Sequence, residues 1–167
     1  MLKKKNKKKI LIISPYFFPE NFPINLFIKE LNKLEYEVEV VTSLPNYRNY
    51  GFYKNYSLLK GPFKEKIFDC KILRLPVIPR FSNSFFSIFL FYFSFFISAF
   101  IFLFFYGIFK RNTFIHVLSF CGSPVFTGYL GKMFAIISKC KSSLWIQDIW
   151  PESILSSFNI KKNKYIF

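Results

Sequence analysis

The 167-residue sequence predicts an α/β domain, a parallel sheet flanked by helices, with one very apolar helix or helical hairpin added to it. Three observations carry this expectation. Short apolar runs bounded by charge and turn residues have the pattern of strands buried on both faces. Stretches with helical apolar spacing alternate with them. Hydrophobic residues make up 52% of the chain, enough to bury a sizeable core.

Ile10-Leu11-Ile12-Ile13 is the first such run, closed by Ser14-Pro15. A loop with Pro15, Pro19 and Pro23 follows. Ile24, Phe27, Ile28, Leu31 and Leu34 then recur at helical spacing, with Lys29, Glu30, Asn32 and Lys33 opposite. Pro23 suits the first helical turn, where its missing N–H costs nothing. Val38 to Thr42 is the next strand, so the chain opens β-α-β, the unit of a parallel right-handed crossover. Residues 44–66 read as a long loop rich in Tyr, Asn, Gly and Lys, of the kind that often carries function. Ile67 to Leu75 reads as an edge strand, and Pro76 and Pro79 then break the chain.

Phe81 to Phe109 carries no charge and is apolar all round, so periodicity cannot orient it. As a helix at ~1.5 Å per residue it would exceed a bilayer core of ~30 Å. The strand and helix alternation resumes after it. Phe114 to Leu118 is a strand, and Ser123-Pro124 opens a helix to about Ser138, with Ser123 as its N-cap. Leu144 to Gln147 is the last strand, and Pro151 opens a final helix. A full membrane span would set Arg80 and Lys110 on opposite sides of the bilayer and split the sheet. The expected arrangement is therefore a segment, 81–109, that packs on the sheet and dips into one leaflet. The whole chain, 1–167, reads as one domain.

The formal charge is +15, which favours anionic partners. Lysine runs stand near both ends, at Lys3 to Lys9 and Lys161 to Lys164, and Lys110-Arg111 follows the apolar segment. They read either as a solvated surface or as attraction to an anionic membrane surface. No nucleic-acid module with stacking aromatics is visible, so nucleic acid is not an expected partner. Cys70, Cys121 and Cys140 are widely spaced without a metal pattern and read as reduced, mostly buried thiols. The single histidine, His116, lies inside a strand and reads as a core residue. No P-loop, GxGxxG, HExxH or GxSxG occurs, and no metal or cofactor is expected.

In a doubly wound sheet, ligands bind beyond the C-terminal strand ends. Three segments leave strands there: 14–25, 119–124 and 147–153. Each leads into a helix N-terminus, where unpaired N–H groups favour anions. Their polar groups are Glu20, Asn21, Asn25, Ser119, Ser123, Gln147, Asp148, Glu152 and Ser153. Asp148 directly follows a strand, and Glu152 falls in the first turn of the next helix. The purely structural account is that Asp148 caps that helix and Glu152 offsets its dipole.

The stretches Tyr16 to Asn25 (YFFPENFPIN), Val40 to Tyr47 (VVTSLPNY), Leu73 to Arg80 (LRLPVIPR), Phe93 to Ala99 (FSFFISA), Ser123-Pro124 and Leu144 to Ser153 (LWIQDIWPES) together resemble the N-terminal domain of family 4 glycosyltransferases. The likeness is to the aminosugar (fucosamine-type) transferases of bacterial O-antigen and capsule assembly. It implies the Rossmann-like N-terminal half of a GT-B fold and transfer with retention. The donor would be a nucleotide-sugar, and the acceptor a membrane lipid bearing a diphosphate-linked sugar. In such enzymes the N-terminal domain binds acceptor and a C-terminal domain grips the nucleotide; that second domain is expected to be absent from this chain. The resemblance also implies work at the cytoplasmic face of the inner membrane. Asp148 would orient or deprotonate the acceptor hydroxyl. Glu20 and Asn21 would position acceptor or donor phosphate, Asn25, Ser123 and Gln147 would join them in binding substrate, and Glu152 would support the loop. A second reading is a non-catalytic membrane-anchored protein with a degenerate transferase domain.

Overall fold

A computed structural model describes residues 8–47, 49–121 and 125–147. Its elements run β1 (Lys9–Ile13), α1 (Pro23–Lys33), β2 (Glu37–Ser43), β3 (Lys64–Ile67), β4 (Cys70–Leu75), α2 (Phe85–Phe109), β5 (His116–Cys121), α3 (Thr127–Ser138) and β6 (Lys141–Ile146). They form one six-stranded sheet in the order β3-β4-β2-β1-β5-β6. Every pairing is parallel except that of β3 with β4. The expected α/β class and the opening β-α-β unit are therefore both present.

The sheet separates two cores. On one face Ile24 and Ile28 of α1 pack over Ile10, Ile12, Val38, Val40, Ile72, Leu118 and Phe120. On the other, α2 and α3 cover Leu11, Ile13, Val41, Leu73, Leu75 and Val117. Alternate residues of each central strand thus face opposite layers, and both sets are apolar because both faces are covered. One exception is Glu39, which points to the α2 side. Its carboxylate is buried there, accepts the Tyr106 hydroxyl proton, and lies 3.3 Å from the Lys71 ammonium.

The apolar segment forms one unbroken helix, so the hairpin alternative is not what the chain adopts. Ser84 caps it, accepting the Ser87 N–H. Its buried positions are Ser87, Phe91, Phe95, Ala99, Leu103 and Gly107, a strict four-residue repeat. Small residues in that stripe let the helix come close to its neighbours. A methyl on Gly107 would stand 3.0 Å from Ile137 of α3. Tyr92, Phe96, Phe102 and Tyr106 flank the stripe partly buried, and the outward face, from Phe85 and Phe86 to Ile108 and Phe109, is exposed phenylalanine and isoleucine. The helix is long and apolar enough to cross a membrane by length and composition. It nevertheless starts just after β4 and ends just before β5, and both strands belong to one sheet.

Several sequence expectations are corrected. The segment expected as a single edge strand, residues 67–75, belongs to a hairpin in which β3 is the edge and β4 lies inside, paired with β2. The strand expected at Phe114 to Leu118 runs from His116 to Cys121, and the one expected at Leu144 to Gln147 runs from Lys141 to Ile146. Among the described residues α3 begins at Thr127 with Phe126 at its N-cap, and the expected opening at Ser123-Pro124 lies outside them. His116 is not a core residue. It stands half-buried at the start of β5 with Nε2 2.8 Å from the Ser143 hydroxyl. Cys70 and Cys121 are buried thiols, and Cys140 is partly so.

α3 packs closely on β5 at Gly131, where an added methyl would fall 2.0 Å from the Ser119 hydroxyl oxygen. Gly131→Ala is expected to destabilise the fold by about 1–3 kcal/mol through overpacking, read as a lower denaturation midpoint. Adding Ser119→Ala should recover much of that loss, because the nearest remaining Ser119 atom is then its Cβ at 3.3 Å. Equal midpoints for wild type and Gly131→Ala would contradict this packing.

Candidate functional site

The parallel strands all end at one edge of the sheet, so the segments leaving β1, β2 and β4 converge there. Loop ends of this kind expose backbone N–H and C=O groups that need partners when buried. Here a carboxylate supplies them. Glu20 is only 3% exposed. Its Oε1 accepts the N–H groups of Asn46 at 2.8 Å and Tyr47 at 2.7 Å, and its Oε2 accepts that of Phe17 at 3.3 Å. Burial pushes its pKa up to about 7, and the three N–H donors and Arg74 pull in the opposite direction without restoring the ordinary value.

Arg74 reinforces the same junction. Its guanidinium is buried and donates to the carbonyls of Phe18 and Ser43, while Nε pairs with the Glu65 carboxylate. One cation thereby ties the β1 loop, the end of β2 and the edge strand β3. Ser43 adds a 2.6 Å bond from its hydroxyl to the Pro15 carbonyl.

An aromatic floor lies beside these loops. Tyr16 stacks between Phe22 and Phe91, with ring centroids 5.1 Å and 4.9 Å away, and meets Tyr47 and Tyr92 edge-on. Its hydroxyl is buried and reaches no partner at hydrogen-bonding geometry, although Arg80 and Tyr92 face it. Burial holds that phenol well above its usual pKa, with Tyr92 adding to the rise and Arg80 opposing it. Asn46 accepts the Arg80 N–H through Oδ1 at 3.3 Å, and the Arg80 guanidinium lies 5.3 Å from the centre of the Tyr47 ring.

The sequence candidates divide accordingly. Glu20 and Asn25 meet at the edge: Asn25 donates from Nδ2 to the Glu20 carbonyl at 2.7 Å, while its buried Oδ1 finds no partner. Glu20's carboxylate is occupied by backbone donors, so its part is to hold two loops together. Asn21 is exposed at the same edge, and Gln147 is exposed beyond β6, its N–H bonded to the Cys121 carbonyl. Ser119 does not line the crevice. It lies beneath Gly131 inside the α3 layer, which corrects its expected place. Ser123, Asp148, Glu152 and Ser153 lie outside the described residues.

Residues the sequence reading passed over are Tyr16, Asn46, Tyr47, Arg80 and Asn83. The available pointer was parallelism. Once β2 and β4 run alongside β1, their exits at 44–47 and 76–84 must open on the same edge. Among the described residues, no three His, Cys, Asp or Glu side chains gather as metal ligands.

No protein-family model matches the chain, and no curated protein matches it either.

Because the folded state holds a proton on Glu20 up to about pH 7, it binds more protons than the unfolded chain above the ordinary value of 4.5. Stability is therefore greatest at the acid end of this window and falls as pH rises through it, by on the order of 3 kcal/mol from this group. Urea titrations at a series of pH values should show that slope, and Glu20→Gln should flatten it. Glu20→Ala, which orphans the three N–H groups, should cost at least about 1–3 kcal/mol.

Proposed function

We propose that this chain is the acceptor-binding half of a retaining glycosyltransferase with a GT-B arrangement. It moves a sugar from a nucleotide-sugar to a lipid-diphosphate-linked saccharide in bacterial surface-polysaccharide synthesis, at the cytoplasmic face of the inner membrane. The nucleotide-sugar is gripped by a donor domain. The observation that carries this reading is the position of the strand-end crevice beside the outward phenylalanine face of α2. An amphiphilic acceptor can keep its tail in lipid and bring its sugar over Tyr16, Tyr47 and Asn21 without leaving the membrane.

Support for membrane docking comes from the size of the exposed apolar surface. Phe93, Phe100, Phe104 and Phe105 of α2 stand outside the core, and Phe126, Tyr129 and Ile136 extend the same kind of surface onto α3. A contiguous exposed apolar patch of this kind marks a lipid or protein contact. Lying in one leaflet satisfies it without dividing the sheet. Lys110 and Arg111 at the end of the helix suit the anionic headgroups of such a leaflet.

For catalysis, the family resemblance assigns to Asp148, which follows the last strand in the sequence, the orienting or deprotonating of the acceptor hydroxyl, with Gln147 binding substrate and Glu152 supporting the loop. Combined with a nucleotide-sugar-binding domain and lipid-diphosphate sugar, the chain should support transfer. Asp148→Asn should reduce turnover by about 10²–10⁴-fold while acceptor binding persists. Unchanged turnover removes Asp148 from that role. Failure of the chain to retain the acceptor removes the whole reading in favour of a non-catalytic membrane-anchored protein, which the same α2 surface also fits.

Membrane docking has its own check. Phe93→Ser together with Phe100→Ser should lower partitioning to neutral vesicles by about two orders of magnitude, since each buried Phe contributes about 1.5 kcal/mol or more. The unfolding midpoint should hold, because neither side chain belongs to the buried stripe.

A further inference from the structure

We infer that Arg80, with Tyr16, Tyr50 and Asn83, forms a phosphate-binding site at the point where the strand-end crevice meets the apolar surface of α2, and that the phosphate is the headgroup of a membrane amphiphile.

Arg80 is the last charged residue before the uncharged segment that contains α2. Its guanidinium is partly buried and held in place from several directions. The Tyr47 ring lies 5.3 Å from it, one guanidinium nitrogen donates to Asn83 Oδ1 at 3.4 Å, and the Arg80 backbone N–H is fixed by Asn46. Asn83 is itself anchored, donating from Nδ2 to the Tyr50 hydroxyl at 2.8 Å. The buried arginine, Arg74, pairs with Glu65, and Lys71 reaches Glu39, yet among the described residues no carboxylate pairs with Arg80. A fixed guanidinium with no carboxylate partner among the described residues presents paired N–H donors in a fork that suits phosphate oxygens.

A second observation points the same way. The Tyr16 hydroxyl is buried, faces Arg80, and meets no partner at hydrogen-bonding geometry. A buried hydroxyl whose polar neighbours, Arg80 and Tyr92, meet it without good hydrogen-bond geometry costs free energy, and a phosphate oxygen would serve it better. A phosphate oxygen held by Arg80 would be within reach of that donor.

The surroundings identify the carrier. Phe81, Phe85, Phe86 and Phe89, on or just before the first turns of α2, are all exposed within a few residues of Arg80. A soluble phosphate compound has no use for that border. A lipid phosphate or diphosphate has its charged group at Arg80 and its chain along the phenylalanines. This inference rests on the membrane docking proposed for α2, and binding to neutral vesicles reports that docking separately.

The test is flotation of the full chain with three vesicle sets: phosphatidylcholine alone, phosphatidylcholine with a polyprenyl diphosphate, and the latter with excess inorganic pyrophosphate. Wild type should bind the diphosphate vesicles at least about tenfold more tightly than neutral ones. Arg80→Gln should lose that increment and keep neutral-vesicle binding. Tyr16→Phe, which preserves the ring stack, should lose part of it. Lys132→Gln removes the same charge from α3 and should lose little. Competition by pyrophosphate at concentrations that leave neutral binding intact supports the site and measures how much of the affinity lies in the phosphate itself. The inference is overturned if wild type shows no preference for diphosphate, if Arg80→Gln retains it, or if Lys132→Gln loses as much as Arg80→Gln. Loss of neutral-vesicle binding in wild type would overturn the docking on which it rests.

Discussion

The strand-end half of this molecule is organised around one buried carboxylate. Glu20 could have been solvated at small cost, yet it lies inside, bonded to the backbone of the segments that leave β1 and β2. A desolvated acid is expensive unless donors surround it, and the consequence is visible in its raised pKa. What the arrangement secures is conformation. With Asn46 and Tyr47 fixed by Glu20, the Asn46 side chain can hold the Arg80 backbone and the Tyr47 ring can lie beside the Arg80 guanidinium. Arg74 performs the matching task with positive charge, reaching the carbonyls of Phe18 and Ser43. The crevice is thus built from backbone held by two internal charges, and its exposed groups inherit their positions from them.

α2 imposes the second constraint. A helix that is apolar all round gives no preferred face by periodicity, so its orientation is set by size. The buried row contains a serine, an alanine and a glycine alongside phenylalanine and leucine, whereas the outward surface is almost entirely large side chains. Close approach to α3 and β4 selects the row that leaves room for backbone. The side chains excluded from that row are the ones that water tolerates least. Sheet packing and the exposed apolar surface are therefore two results of one sorting by volume.

Much of the architecture was legible because local pattern and tertiary need agree. The run at Ile10 to Ile13, Pro23 at the start of α1 and the amphipathic spacing through Leu31 point to one answer. The β3–β4 hairpin was not legible. Its two turn residues, Phe68 and Asp69, both have positive φ, at 52° and 59°, in a turn where sequence reading looks for Asn-Gly or Gly. The phenylalanine is retained there because its ring packs edge-on against Phe17 and Phe18, so tertiary contact overrides turn preference. Val125 and Phe126 form a turn, and the described helix is taken up at Thr127, whose hydroxyl lies 2.8 Å from the Cys121 sulfur at the end of β5. At the site, residue type was readable and role was not. Glu20 was recognisable as a polar group at a strand exit, but no pattern distinguishes a carboxylate offered to a ligand from one consumed by backbone.

The crossover from β4 to β5 explains why an exposed apolar helix and a polar crevice share one corner. The chain passes over β2 and β1 before re-entering the sheet. A connection that long in space is made here by a single helix of 25 residues, about 37 Å at the usual rise, against strands of about 20 Å. Its first turn must lie at the edge where β4 ends, which is also the edge where β1 and β2 release Tyr16, Glu20 and Tyr47. Its last turn must lie near the start of β5, among Lys110 and Arg111. The apolar surface accordingly begins at the crevice and runs away from it. The boundary between polar and apolar exposed groups falls at Arg80 because connectivity leaves that residue between the end of β4 and the first phenylalanines of the helix.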